Sequence, residues 1–224
     1  MAIQIQGNGG TIAEVDGTNF RAARVTTRPT DHGANGAYSY GGLSGILPAA
    51  LGANSEIYQF RWADATRIAL IWEVKIAACV TTTFFAAGVP VQIDLVKSTG
   101  WSVAGTGGTA VAPAALLKKR TSMASTLVAS GDMRIATTAA LGAGTKTLET
   151  VSMATLVAPG PITASLNGQI IPPGTIFFRA EVSHGQHPLS LVQNEGFSIR
   201  SVAVPATGTW QVAVQVDWTE VDAY

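Results

Sequence analysis

Two histidines and a nearby glutamate are the residues of this chain whose types could form a metal site. His184 and His187 flank a Gly-Gln pair, and Glu181 precedes His184 by three positions. A zinc or iron site needs several converging nitrogen and oxygen ligands on a rigid frame. Because Gly185 indicates a turn here, the spacing favours a loop that bears histidines over a metal centre. We keep His184 and His187 as the candidate metal ligands and expect no metal and no other cofactor.

An enzyme of the cupin type is an alternative for the same region. The run Pro172-Pro173-Gly174, followed by a strand and then by Asn194-Glu195-Gly196-Phe197, resembles the strand-and-turn rhythm of cupins, which are jelly-roll metalloenzymes. The cupin motif has two histidines one residue apart and then a glutamate, whereas here the histidines are three apart and the next glutamate is Glu195. A general acid–base pair of Glu181 with Glu195 rests on residue type alone. We therefore expect a protein that is not an enzyme.

A cysteine and a tryptophan are the other residues that could perform chemistry. Cys79 is the sole cysteine, so the chain has no internal disulfide. Its apolar neighbours at 76–80 predict a small buried side chain and not a nucleophile. Trp101 follows Gly100 in a predicted loop, which makes it the candidate for an exposed ring that stacks on a sugar. Trp101 is thus the candidate ligand-binding residue, and a glycan-binding tail or head-fibre protein is a second alternative function.

Charged residues are scarce in this sequence. Asp, Glu, Lys and Arg make up 12% of the chain, about half of the ~25% expected of a soluble domain. Basic and acidic residues are equal in number at 14 each, and the only basic cluster is at 118–120. Nucleic-acid binding needs a clustered excess of Lys and Arg, so we expect no nucleic-acid partner. We also expect no signal peptide and no membrane span.

The positioning elements predicted by the sequence are β-strands. Residues 209–219 alternate with a period of two, which is the pattern of a strand with one buried face; the apolar set is Trp210, Val212, Val214, Val216 and Trp218. Similar alternation follows residue 55, and in 67–77 it places Ile68, Leu70, Trp72, Val74 and Ile76 on one face. Short strands between Gly, Pro and Asn turns are typical of a sandwich or barrel. We predict an all-β, jelly-roll-like antiparallel sandwich over residues 56–224, with one short helix after Pro113 in the stretch 110–120.

Residues 1–55 differ from the rest of the chain. They hold 10 of the 24 glycines and six charged residues, and little periodicity survives past Val15. The stretch 33–45, GANGAYSYGGLSG, is typical of a loop or an extended arm. Disordered segments usually have high net charge, which this one lacks. We predict an extended Gly-rich N-terminal arm over 1–55 that docks on a neighbouring subunit.

Three blocks of the sequence carry a family resemblance. They are residues 51–76, beginning LGANSEIYQFRWADATRIALI; residues 132–149, DMRIATTAALGAGTKTLE; and residues 171–221, beginning IPPGTIFFRAEVSHGQHPLSLVQNEGFSIR. Together these blocks resemble uncharacterised virion structural proteins of tailed bacteriophages. The resemblance implies a β-sandwich component of the phage particle and brings no catalytic residues with it.

The low charge and the resemblance together predict a function in assembly. A surface with so little charge is expected to contact other protein subunits. We predict a non-enzymatic virion protein, a capsid decoration protein first and a tail- or head-associated one second. The expected partners are other copies of the chain, as a trimer, and the major capsid protein or another virion protein. The expected location is the particle surface, after synthesis in the host cytoplasm.

Overall fold

A computed structural model of the chain describes residues 15–16, 22–23, 36–49, 51–85, 89–112, 114, 117–159, 168–181, 185–204 and 206–222. The chain divides into two units, residues 1–31 and residues 32–224. In the first unit, β1 (Val15–Asp16) pairs with β2 (Ala22–Ala23) in an antiparallel hairpin. Within the described residues, no helix has the length and apolar character needed to cross a membrane.

The second unit is an all-β sandwich of two antiparallel sheets. Its strands in chain order are β3 (Ala37–Leu43), β4 (Leu47–Pro48), β5 (Ser55–Trp62), β6 (Ile68–Val80), β7 (Val91–Val103), β8 (Thr109–Ala110), β9 (Met133–Ile135), β10 (Thr145–Leu148), β11 (Ala154–Ala158), β12 (Gln169–Arg179), β13 (Leu189–Leu191), β14 (Glu195–Ala203) and β15 (Thr209–Val221). Of residues 110–120 the structure describes 110–112, 114 and 117–120; Leu117 has 3₁₀ conformation, and none of these described residues is in an α-helix.

The strand order is that of a jelly roll. The first sheet runs β10-β7-β14-β5-β9-β8, with β11 also on β7, and the second runs β12-β6-β15-β3, with β13 on β6 and β4 on β15. Strands from the first half of the chain pair with strands from the second half in reverse order, as in one long hairpin. The pairs, from the outside inward, are β3–β15, β5–β14, β6–β12 and β7 with β10 and β11. Rolling that hairpin over itself adds the pairs β15–β6 and β14–β7. This arrangement, which viral capsid proteins, lectins and cupins share, confirms the predicted fold class.

The core between the sheets is aromatic at its centre. The inward set predicted for β15 is fully or almost fully buried, from Trp210 to Trp218. Phe197 of β14 lies between Phe60 and Tyr58, with ring centroids 5.4 and 5.9 Å away, and Phe60 meets Trp218 edge-on at 5.7 Å. Stacked and edge-on ring pairs of this kind add stabilisation beyond the area that they bury.

The alternation predicted for β6 is wrong at its start. The pairing with β15 shifts between Glu73 and Ile71, so Trp72 is an extra residue of a β-bulge. A bulge moves all the residues before it to the opposite face. Ile71 therefore lies in the core together with Val74, and Trp72 is half-buried, with its indole N–H donating to the Thr219 hydroxyl at 2.9 Å.

The predicted boundary between arm and sandwich, at residue 55, is also wrong. Residues 37–43 form β3, which pairs along its length with β15. Tyr38 and Tyr40 of β3 are buried in the core, where the Tyr38 ring stacks on Trp218 at 5.5 Å. The alternation of the two tyrosines covers too few residues, next to glycines, for the sequence to predict a strand here. The segment 1–35 lies almost wholly outside the described residues, as does His32.

Candidate functional site

The structure describes one of the two candidate metal ligands. His187 lies exposed in the loop before β13, and His184 is outside the described residues. In that loop the backbone N–H of Gln186 donates to the carbonyl oxygen of Glu181 at 3.2 Å. Glu195 instead pairs with Lys97, at 3.4 Å. Within the described part of the chain, no three His, Cys, Asp or Glu side chains are grouped so that they could hold a metal ion.

The expectation of an exposed Trp101 ring is wrong. Trp101 is 1% exposed. The register of β10 against β7 jumps at residues 99–103, and Gly100 in that irregularity has a φ of 64°, a value that glycine adopts freely. A bulge re-aims the side chains beside it. The Trp101 indole N–H donates to the Ser98 hydroxyl at 2.6 Å, so the ring is not free to stack on a sugar.

Trp101 belongs to a buried polar cluster on the outer face of the first sheet, formed by Glu56, Gln59, Trp101, Lys146 and Ser198. The Glu56 Oε2 atom accepts hydrogen bonds from Lys146 Nζ at 2.7 Å, Gln59 Nε2 at 2.7 Å and the Ser198 hydroxyl at 2.6 Å. Lys146 Nζ also lies 4.1 Å from the centroid of the Trp101 ring, in a cation–π contact. The side chains of Lys146 and Glu56 are 2% and 5% exposed.

The chain that leads into β10 covers this buried polar cluster. The Leu141 N–H donates to the Glu56 carbonyl oxygen at 2.9 Å, and the Gly142 carbonyl oxygen accepts from Gln59 Nε2 at 3.2 Å. From there the chain reaches Lys146, whose side chain turns back towards Glu56. Gln59 Oε1 has no hydrogen-bond partner although it is buried. An unpartnered buried polar atom is costly and uncommon in a native protein.

Burial lowers the pKa of the lysine in this cluster. Removal of Lys146 from water lowers its pKa, while the hydrogen bond and the charge of Glu56 act in the opposite direction; the net result is a pKa below the ordinary value. A buried ammonium costs free energy unless a partner compensates for the lost water. The neutral amine of Lys146 is therefore easier to reach than that of a surface lysine.

A second buried carboxyl group, Glu220, lies on β15 and is completely buried. It accepts hydrogen bonds from the Thr126 hydroxyl and from the Leu127 N–H at 3.1 Å, and the Trp218 indole N–H lies 3.4 Å away. Burial raises the pKa of Glu220 above 4.5, and these hydrogen bonds only partly oppose the shift. Glu220 ties the irregular segment 124–128 to the sandwich.

The pH dependence of stability should reveal the raised pKa of Glu220. Its folded-state pKa is raised, so the folded protein holds this proton more tightly than the unfolded chain, and the group's contribution falls as pH rises from 4.5 through the raised value. We expect the free energy of unfolding of the wild type, minus that of Glu220→Gln, to fall over this range by about 1.4 kcal/mol per unit of pKa shift and then to level off. Urea unfolding of both proteins from pH 4 to pH 8 measures this difference in the free energy of unfolding. A difference that is flat with pH would contradict this view of Glu220.

The outer face of the second sheet carries a different feature, a shallow trough. Two adjoining depressions of about 360 and 310 Å³ share Leu43, Ala77, Ala213 and Pro173 in their lining. Leu43, Ala213 and Ala77 are opposite one another on β3, β15 and β6. Leu43 is 59% exposed. An exposed leucine therefore stands beside a floor of small side chains, which we call the trough.

Cys79 lies at one end of the trough, contrary to the expectation that it is buried. Its side chain is exposed, in register with Gln211 on β15 and Gln169 on β12. The apolar residues around it predicted burial because Ala78 and Val80 do face the core. Cys79 itself points outward, as the period of two in a strand requires.

The charged residues at the other end of the trough neutralise one another. Glu73 pairs with Lys75 at 2.5 Å and with Arg179, and Asp217 pairs with Lys119 at 2.7 Å. Burial alone would raise the pKa values of both carboxyls, but their hydrogen bonds to these cations hold each pKa below its ordinary value. The face therefore presents small apolar side chains, uncharged glutamines and paired charges.

No protein-family model, curated protein or solved structure matches this chain. Function therefore has to be inferred from the sandwich itself. Its described residues offer a neutral trough on one sheet and a buried polar cluster on the other, and neither has the grouped ligands of a metalloenzyme.

Proposed function

We propose that this protein is a non-enzymatic structural subunit of a tailed-phage particle, foremost a capsid decoration protein, and that it assembles with copies of itself through the trough. The observation that supports this most directly is the exposed Leu43 beside Ala77 and Ala213, on a sheet face that no other described strand covers. Exposed apolar features on a sheet with no covering layer are typical of interaction surfaces.

A second copy of the chain is the occupant that the charges favour. The formal net charge of the chain is zero, so two identical copies meet without long-range repulsion. Near the trough the charged residues Glu73 and Lys75 are already paired within the subunit, so contact with a second copy would not bury either charge without its partner. Small side chains such as Ala77 let another backbone approach closely. Identical subunits with such a patch usually form closed symmetric oligomers.

The assignment to a phage particle draws on two supports. Jelly rolls recur in viral capsid proteins, although the same fold also serves enzymes and lectins, so the fold alone does not decide the function. The three blocks at 51–76, 132–149 and 171–221 resemble tailed-phage virion proteins, and each contributes strands of the sandwich. Many repeated weak contacts on a lattice would give firm attachment.

A charge placed in the trough should weaken self-association. Leu43→Glu introduces a carboxylate where a neighbouring copy would bury it, so we expect association at least about tenfold weaker, since a buried leucine alone contributes ~1.5–3 kcal/mol. Light scattering across a concentration series measures the change. Val157→Glu is the matched control, because Val157 on β11 is 62% exposed and does not line the trough. Equal association of the Leu43→Glu variant and the wild type would contradict the role of the trough.

The virion assignment has its own test. Particles purified from the source that encodes this chain should contain it at many copies per particle, and labelled antibodies should reach it on intact particles. A decoration protein would appear on the head, and a fibre or tail protein would appear elsewhere. Purified particles without the chain would contradict the virion assignment and leave self-association through the trough to be judged separately.

A further inference from the structure

We propose that Lys146 and Gln59 form an intramolecular isopeptide bond, with Glu56 carrying protons between them. The product would be an amide that joins Nζ of Lys146 to Cδ of Gln59, with the release of the Gln59 side-chain nitrogen as ammonia. This inference concerns the buried polar cluster and does not depend on the proposed function.

The positions of three groups support this assignment. Lys146 Nζ and Gln59 Nε2 each lie 2.7 Å from the same atom, Oε2 of Glu56. One carboxylate oxygen of the proposed base therefore contacts both nitrogens that exchange protons, and it holds the lysine and the glutamine side chains on the same atom. Groups held in this way react as if at very high concentration, because the cost of bringing them together is met by folding.

The surroundings of the cluster favour the reaction over hydrolysis. Gln59 and Trp101 are both 1% exposed, and Ser198 is fully buried. Water is thus largely excluded from the amide. Burial also lowers the pKa of Lys146, which brings the nucleophilic neutral amine within reach.

The step balances without any outside reactant. Glu56 takes a proton from the Lys146 ammonium, and the neutral Nζ attacks Cδ of Gln59. Glu56 then delivers that proton to Nε2, the C–N bond to Nε2 breaks, and a second proton passes from Nζ by the same route. The ammonium of Lys146 and the amide of Gln59 become a secondary amide and an ammonium ion, with Glu56 returned as carboxylate and nothing oxidised or reduced.

Such a bond would fasten the first sheet across its width. Gln59 lies on β5 and Lys146 on β10, and in the sheet order β14 and β7 separate these two strands. β10 contains only four residues. A covalent tie would hold this short strand and the covering chain from Leu141 onward against the sheet.

Mass spectrometry of the purified full chain tests the proposal. We expect the wild type, after incubation at pH 9, to be lighter than its sequence by one ammonia molecule. Trypsin should then release a branched peptide that joins the segments containing Gln59 and Lys146. Lys146→Arg, which keeps the positive charge but lacks the amine, and Glu56→Gln should both retain the full sequence mass. Lys97→Arg, at a more exposed lysine that pairs with Glu195, is the matched control and should still form the link.

Either of two results would overturn the proposal. One is a wild-type chain at its full sequence mass after incubation, with Lys146 found in an unbranched peptide. The other is an ammonia loss that maps to another residue or persists in Lys146→Arg. Because the first result is read from the wild type, it does not depend on whether any variant folds. Self-association of the wild type is measured separately and is not affected by either result.

Discussion

Removal of residues 1–45 will unfold the sandwich, whereas removal of residues 1–31 will leave it folded. The longer deletion takes away β3 and with it Tyr38 and Tyr40, which are 0% and 8% exposed. Loss of a large buried side chain typically costs ~3–5 kcal/mol, and a whole domain is stable by only ~5–15 kcal/mol. β3 also pairs with β15 over its full length, so the deletion opens a new edge on the second sheet.

The shorter deletion follows the division of the chain into residues 1–31 and 32–224. We expect the 32–224 protein to show a cooperative thermal transition by circular dichroism, and the 46–224 protein to show none. If the deleted segment is the docking arm predicted from the sequence, the 32–224 protein will also fail to join particles while remaining folded. A folded 46–224 protein would contradict the place of β3 in the core.

Replacement of Phe197 by alanine will produce the largest loss of stability among single core substitutions of this kind. Phe197 is fully buried between Phe60 and Tyr58 and joins the aromatic centre of the core. The cavity and the lost ring contacts should cost ~3–5 kcal/mol. For a chain of this size that corresponds to a fall in Tm on the order of 10 °C.

Differential scanning calorimetry of the Phe197→Ala protein measures this effect. Val157→Ala is a suitable control, because Val157 is 62% exposed and its truncation leaves no cavity. We expect the control to shift the Tm by a degree or two at most. If the Phe197→Ala protein had the same Tm as the Val157→Ala control, the two sheets would not pack through these rings.

The fold was predictable where one strand keeps its period without interruption. The set from Trp210 to Val216 alternates without a bulge, and all its members are buried as expected. The bulge at Trp72 could not be anticipated, since it is defined by the partner strand and leaves no mark in the sequence of β6 itself. β3 was missed because its tyrosines lie among glycines, which are uncommon in strands.

The buried polar cluster was beyond sequence reasoning for a different reason. Glu56 and Lys146 are 90 positions apart, and a lysine in a short polar run is expected to be exposed. Only the path of the chain from Leu141 over the first sheet brings them together. Gly100 predicts a loop beside Trp101 from the sequence, whereas in the structure this glycine forms an irregularity within β7.

The composition predicts a weakly charged surface, but the sequence does not predict where on the fold the trough lies. A chain with 12% charged residues must leave weakly charged areas on its surface. The alternation in β15 places Ala213 on the outer face, but its alignment with Leu43 and Ala77 depends on the register of three strands. Register is fixed by long-range pairing, which the sequence of a single strand does not contain.

Sedimentation velocity of the unmodified full chain tests the central claim of assembly most directly. The claim predicts a species heavier than the 23.1 kDa single chain at micromolar concentration, with a mass of three chains if the trimer expected from the sequence is right. It also predicts dissociation towards the single chain in the Leu43→Glu variant. A wild-type protein that sediments as a single 23.1 kDa chain at every concentration would contradict it.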